Sequence, residues 1–341
     1  AVIPIQIRLK GDWVDHLKGD KWSFRIKVKP GFSFNGLKSF SIQSPHTRSF
    51  LEEYVLHKLF EQEDVLTTRY DFSPIMLNGK NLGIYAIEEH FDKQLLEAKR
   101  RREGPILKLD EGGHWEQVLY NLKNDKKRHI PSYEAAAVLP FKKGRTISSE
   151  TLYHQFLIAQ NLMFQYKNNA DNPQELFDVE LMAKYYAILD VGRVHHSIHW
   201  HNHRFYYNPI TSRLEPIAFD CNSEPIPGVV RLPIAGLQQV HGAKNPSFQN
   251  LLFYNVANNS DFQHHYLRYL KAYSNKQFLD LFFEKIADNV RELNLLLSPE
   301  FGGYTYSSKN YYKTADAIIE ALPDFENSIN SDAINFNAPR P

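Results

Sequence analysis

The sequence has 341 residues, enough for one large or two medium domains with a sizeable core. Lys plus Arg number 40 against 39 Asp plus Glu, a formal charge of +1, and 43% of residues are hydrophobic. That balance argues against a disordered chain and a basic nucleic-acid binder, and a single cysteine, Cys221, excludes an internal disulfide or a zinc ribbon.

In chain order, residues 2–9 open as a strand, without the basic-then-apolar order of a signal peptide, which suits a mature form or an excised domain. No apolar run approaches the roughly 20 residues of a membrane span. Residues 22–28 repeat the period-two pattern, Pro30, Gly31 and Gly36 break the chain, and 38–42 form another short strand. A helix is expected from Ser49, with Ser49 and Glu52 as a capping-box pair and Leu51, Val55 and Leu59 at helical spacing. Runs 73–77 and 82–87 join through Asn78-Gly79, a strong hairpin signal. A charged helix is expected over 92–102. Its four consecutive cations, Lys99 to Arg102, read as a solvated face, as do the basic clusters at 126–128 and 142–145.

The second half reads as mainly helical. Leu152, Phe156, Ala159, Met163 and Tyr166 share a face, and a helix opening at Pro173 runs through Leu189. A hairpin over 203–207 and 214–219 interrupts it, a Pro- and Gly-rich loop covers 221–236, and two or three helices lie between Asp261 and Asn330. The expected fold class is α+β: a β-rich N-terminal lobe at 1–105, then a mainly helical C-terminal lobe at 106–341 that carries the hairpin. The cleft between the lobes is the default active-site position.

Of the 15 histidines, five fall among residues 195–203: His195, His196, His199, His201 and His203. As a strand, 199, 201 and 203 would share a face and suit zinc, but no spaced carboxylate or HEXXH motif accompanies them. The other reading rests on Asn202 and Asp220, which enter and leave the hairpin. An amide oxygen and a carboxylate brought together make a hard oxygen site, suited to Mg²⁺ on nucleotide phosphates, although Asn and Asp also simply end strands. Phosphate-handling kinase sites add a strand cation and a helix Glu. Lys21, Arg25 and Lys27 share one face of a strand, and Glu53 lies in register with Leu56 and Phe60. Each alone reads as amphipathic solvation.

Taken together, Arg8-Leu9-Lys10-Gly11, the run from Lys21 to Lys27, Leu51-Glu52-Glu53, the Asn78-Gly79 hairpin through Tyr85 with Glu88 after it, His201-Asn202 and Phe219-Asp220 resemble the spore coat protein H (CotH) kinase family. The resemblance spans roughly 5–222 and implies a two-lobed, protein-kinase-like fold. It implies transfer of phosphate from ATP, with Mg²⁺ or Mn²⁺, to Ser or Thr of an extracytoplasmic or cell-envelope protein. It makes Asp220 and Asn202 metal ligands, matches Glu53 to the helix Glu that pairs with Lys21, Arg25 or Lys27, places Lys108 near the interlobe connection, and puts Glu88 in the segment that holds adenine. Two positions depart from the family pattern: Ser197 stands where a catalytic Asp is common, and Glu52 where an Arg is usual. His196, His199 or His201 would then serve as the base, with Asp190 a further candidate at a helix end. The competing expectations are a kinase-fold nucleotide-binding module without catalysis and a His-based zinc hydrolase.

Overall fold

The computed structural model describes residues 2–11, 14–17, 19–168, 172–194, 196–221, 251–257 and 259–330. His195 and, apart from Cys221, the loop expected over 221–236 lie outside them. The fold is α+β, built on two five-stranded sheets.

The first sheet is antiparallel, in the order β1 (Ile5–Leu9), β2 (Phe24–Val28), β3 (Ser39–Gln43), β6 (Lys80–Glu89), β5 (Tyr70–Leu77). Alternation sends Ile26, Val28, Phe40, Ile42, Tyr85 and Ile87 into a small core of its own. At the β5–β6 turn Asn78 and Gly79 both have positive φ, 52° and 79°, which is the primed turn that an Asn-Gly pair favours.

Between β3 and β5 runs helix α1 (Leu51–Gln62), followed by the short β4 (Leu66–Thr67). The expected capping box does not form. A 3-10 turn, Pro45–Arg48, precedes the helix and leaves Ser49 left-handed at φ 53°, so the N-cap is Phe50, whose side chain makes no cap bond. Phe50 instead stacks on Tyr304 at 4.2 Å.

The second sheet has the order β4, β10 (Arg213–Ala218), β9 (Arg204–Asn208), β7 (Ile106–Leu109), β8 (Val138–Pro140), with β4 parallel to β10. A strand from the front of the chain thus completes the rear sheet, and α1 shares its core. The charged helix is short, α2 (Lys93–Ala98), capped by Asp92. Of the cations at its end, Arg100 and Arg102 are solvent-exposed as expected, whereas Lys99 pairs with Glu61 and Arg101 with Asp64 and Glu215. Helices α3 (Gly112–Asn124), α4 (Lys143–Ser148) and α5 (Glu150–Lys167) follow, and α5 buries Phe156, Ala159, Met163 and Tyr166 as its spacing requires. The helix expected over 173–189 is two, α6 (Pro173–Leu176) and α7 (Val179–Val191), because Phe177 is extended and Asp178 caps a new start. Helices α8 (Leu251–Ala257), α9 (Ser260–Tyr273), α10 (Lys276–Leu297) and α11 (Lys309–Asn330) complete the described chain.

The segment after α10 folds back over the front of the molecule. Glu300 accepts from the Ile84 N–H at 2.6 Å and pairs with Lys21 at 2.7 Å, while the Leu51 N–H donates to the Tyr304 hydroxyl at 3.1 Å. Under this cover burial pushes the Glu52 carboxyl up to about 7, against an opposing pull from Arg193. Glu52 therefore holds a proton in the folded chain that the unfolded chain releases near 4.5, and stability falls as pH rises from 4.5 to 7. Glu52→Gln should raise stability at pH 8 by about 1–3 kcal/mol and leave it nearly unchanged at pH 4.5, measured by urea unfolding at both pH values.

Candidate functional site

The register of the first sheet sets Arg8, Arg25, Ser41, Glu88 and Tyr70 opposite one another across five strands, so they share a face. Lys10 continues that face from the end of β1. Its Nζ lies 2.7 Å from Glu88 Oε2 and donates to Gln43 Oε1 at 2.8 Å. Glu88 is 2% exposed, so this is a buried ion pair.

Asp220 stands at the open end of the β9–β10 hairpin, at φ 56°. Its Oδ1 lies 2.9 Å from Nε of Arg48, the last residue of the turn before α1, and its Oδ2 lies 3.1 Å from His196 Nε2. Asn202 is tied in through the same histidine, its Nδ2 donating to the His196 carbonyl at 2.9 Å. Asn202 and Asp220 are thus linked through His196, Asn202 by its amide nitrogen and from a 3-10 turn before β9. Burial pushes the Asp220 carboxyl up, but Arg48 first, then His196 and Lys10, outweigh it and hold the group far below the usual carboxylate range. Glu88 is likewise held low, with Lys10 and Arg48 overcoming burial. Both carboxylates are therefore buried and ionised among the cations Lys10 and Arg48.

Of the three front-strand cations, only Arg25 faces this cluster, close enough to press on Lys10 and on His90. Lys21 is elsewhere: it donates to the Leu82 and Ile84 carbonyls, stands 4.6 Å over the Tyr85 ring and pairs with Glu300, closing the free edge of β6. Lys27 is exposed. Glu53 is fully buried and meets none of the three. It accepts from the Cys221 N–H at 3.0 Å and faces His57 Nε2 at 3.0 Å. Lys108 sits half-buried on β7 directly opposite Arg204. Glu88 belongs to β6, with its carboxylate in the charged cluster, and the chain reaches β7 of the second sheet after it.

Among the described residues the histidines form no strand. Residues His196–Ile198 and Trp200–Asn202 are 3-10 turns, and β9 begins at Arg204. Backbone bonds close these turns, from the His199 N–H to the His196 carbonyl at 3.2 Å and from the Asn202 N–H to the His199 carbonyl at 2.8 Å. Arg204 Nη1 donates to the carbonyls of His201 and His203 beyond them, while its guanidinium packs among Phe91, Phe141 and Phe219. His196, His199 and His201 gather as a ring cluster, with centroids 5.5 Å apart along the chain. His201 is buried against His114, Trp115 and Trp200, and burial with its histidine neighbours drops it to about 3. Among the described residues the one three-ligand grouping is Glu53, His57 and Cys221, and none of these histidines belongs to it.

Ser197 is fully buried, with its hydroxyl donating to the Asp220 carbonyl at 2.8 Å. It faces the backbone behind Asp220. Asp190 is also buried, bonded to the Tyr266 hydroxyl.

Sequence reasoning gave no role to Lys10 or Arg48. Lys10 carried a usable signal, since it continues the period-two face of Arg8. Arg48 carried none, lying in an irregular turn. A search of curated proteins gave no match. The CotH kinase protein family matches residues 7–327, nearly the whole chain, and the protein belongs to the CotH kinase family.

Proposed function

We propose that this kinase-like protein transfers phosphate from ATP, with Mg²⁺ or Mn²⁺, to Ser or Thr of a protein acceptor. The observation that carries the reading is the meeting of Lys10, Arg25 and Arg48 from the front of the molecule with Asp220 from the rear hairpin. A triphosphate needs several cations and a hard oxygen site within one cleft, and little covalent chemistry besides.

Asp220 and Asn202 would hold the metal. The residues fit: Asp220 Oδ1 is ionised and faces Arg48 Nε at 2.9 Å without a directed hydrogen bond, so its lone pairs are open to a hard cation. The ion supplies neutralisation of phosphate charge. Lys10 and Arg25 offer N–H groups and charge to phosphate oxygens, and Arg48 exchanges its carboxylate for a phosphate oxygen. Arg204, packed among three phenyl rings, holds the carbonyls of His201 and His203 on either side of Asn202. His196 is the proton acceptor for the incoming hydroxyl, being part-exposed beside Asp220, whereas His201 is too weakly basic and His199 stands one ring further out.

One observation favours a second reading, a nucleotide-binding module without catalysis: Ser197, at the position of the usual base, is buried behind Asp220. Incubation with γ-phosphate-labelled ATP and Mg²⁺ or Mn²⁺ separates the two. Label on the protein or an added acceptor is the expected result. Nucleotide-induced thermal stabilisation with no label would replace the first reading by the second.

A further inference from the structure

The peptide bond joining Asp220 to Cys221 is gripped at both of its polar groups by side chains. Its carbonyl accepts from the Ser197 hydroxyl at 2.8 Å, and its N–H donates to Glu53 Oε1 at 3.0 Å. Asp220 needs such a grip, because its φ of 56° is one that a non-glycine residue adopts at a cost.

Glu53 is in turn aimed by His57, one turn further along α1. The Thr68 carbonyl lies 2.7 Å from His57 Nδ1 and only accepts, so Nδ1 carries a hydrogen and the ring orientation is set. That leaves Nε2 facing Glu53 Oε1 at 3.0 Å. Both residues are buried, and helix α1 is thereby coupled to the residue that follows Asp220.

We infer that His57 is a positioning residue: through Glu53 it fixes the Asp220–Cys221 peptide and so the direction of the Asp220 carboxylate. Ser197 is the second hand of the same clamp. The inference rests on the reading that Asp220 holds a metal, and it gives Glu53 a different task from gripping a strand cation. The competing occupant is a transition metal on Glu53, His57 and Cys221, whose ligand atoms lie within 4.8 Å of one another. The clamp is preferred because Oε1 already accepts the Cys221 N–H.

The test is Mn²⁺ titration, followed by electron paramagnetic resonance at a fixed level of a non-hydrolysable ATP analogue. Wild type is compared with His57→Leu, His57→Gln and Ser197→Ala, with melting temperatures recorded alongside. His57→Leu should weaken Mn²⁺ binding by about 10-fold, as loss of a residue that orients a ligand does. His57→Gln keeps an N–H donor for Glu53 and should stay close to wild type, although both variants melt earlier. If His57→Leu fails to fold, Ser197→Ala carries the test with the same expected weakening. Wild-type Mn²⁺ affinity in a folded His57→Leu or, failing that, in Ser197→Ala, or equal losses in the Leu and Gln variants, would overturn the inference alone. So would stoichiometric zinc in purified wild type that His57→Leu loses. Absence of Mn²⁺ binding by wild type would overturn the metal role of Asp220 and this inference with it.

Discussion

Asp220→Asn is expected to lower ATP-dependent phosphate transfer by about 10³-fold or more while the protein stays folded, read from initial rates beside circular dichroism. The amide keeps the shape of the side chain and removes its charge. The metal then loses an ionised oxygen, and Arg48 loses the carboxylate that faces it at 2.9 Å. Stability should fall by about 1–3 kcal/mol, less than the cost of stranding a buried charge outright, because Glu88 and Glu53 still act on the same guanidinium. The loss depends on pH. A carboxylate held low in the folded chain contributes in full above its unfolded value of 3.8, and the contribution fades as pH falls below that. The two proteins should therefore differ in stability at pH 7 and converge in acid.

Lys10→Met is expected to cost about 2–4 kcal/mol and to weaken ATP binding by about 10- to 100-fold, for two separable reasons. Glu88, 2% exposed, is left charged with Arg48 as its remaining close cation. The phosphates meanwhile lose a donor. Lys10→Met combined with Glu88→Gln should recover most of the stability, because the stranded charge is gone, and should recover none of the affinity. Urea unfolding and calorimetric titration with ATP and Mg²⁺ separate the two effects. If the double variant regained affinity, Lys10 would be a structural partner of Glu88 and no more.

What could be read in the sequence was local. Asn78-Gly79 fixes its hairpin because few residue pairs accept two positive φ values in succession, and the face of α5 follows from a spacing of three and four. The second hairpin is likewise marked by its own turn. What could not be read depends on distant partners. Lys10 and Glu88 are 78 residues apart, and Glu53 meets the Cys221 N–H across 168. Neither pairing leaves a periodic trace. Ser49 carries the composition of a cap, yet the 3-10 turn ahead of it consumes its backbone and shifts the cap to Phe50. The alternating histidines suggested a strand, but their backbone closes into 3-10 turns through local N–H to carbonyl bonds, which alternation of side chains does not encode. Lys21 has the neighbours of a phosphate-binding lysine in sequence, but its chain position beside the free edge of β6 commits it to backbone carbonyls and Glu300. The family resemblance supplied the frame, and the side-chain geometry redistributed the roles within it.

The central claim is that Asp220 binds a metal that carries the nucleotide. Calorimetric titration of the wild-type protein with ATP, with and without Mn²⁺ and repeated on Asp220→Asn, tests it most directly. The account predicts saturable binding that strengthens by at least about 10-fold with Mn²⁺ in the wild type and gains little from Mn²⁺ in the variant. Equal ATP affinity with and without Mn²⁺ in the wild type, or an undiminished Mn²⁺ effect in Asp220→Asn, would contradict it.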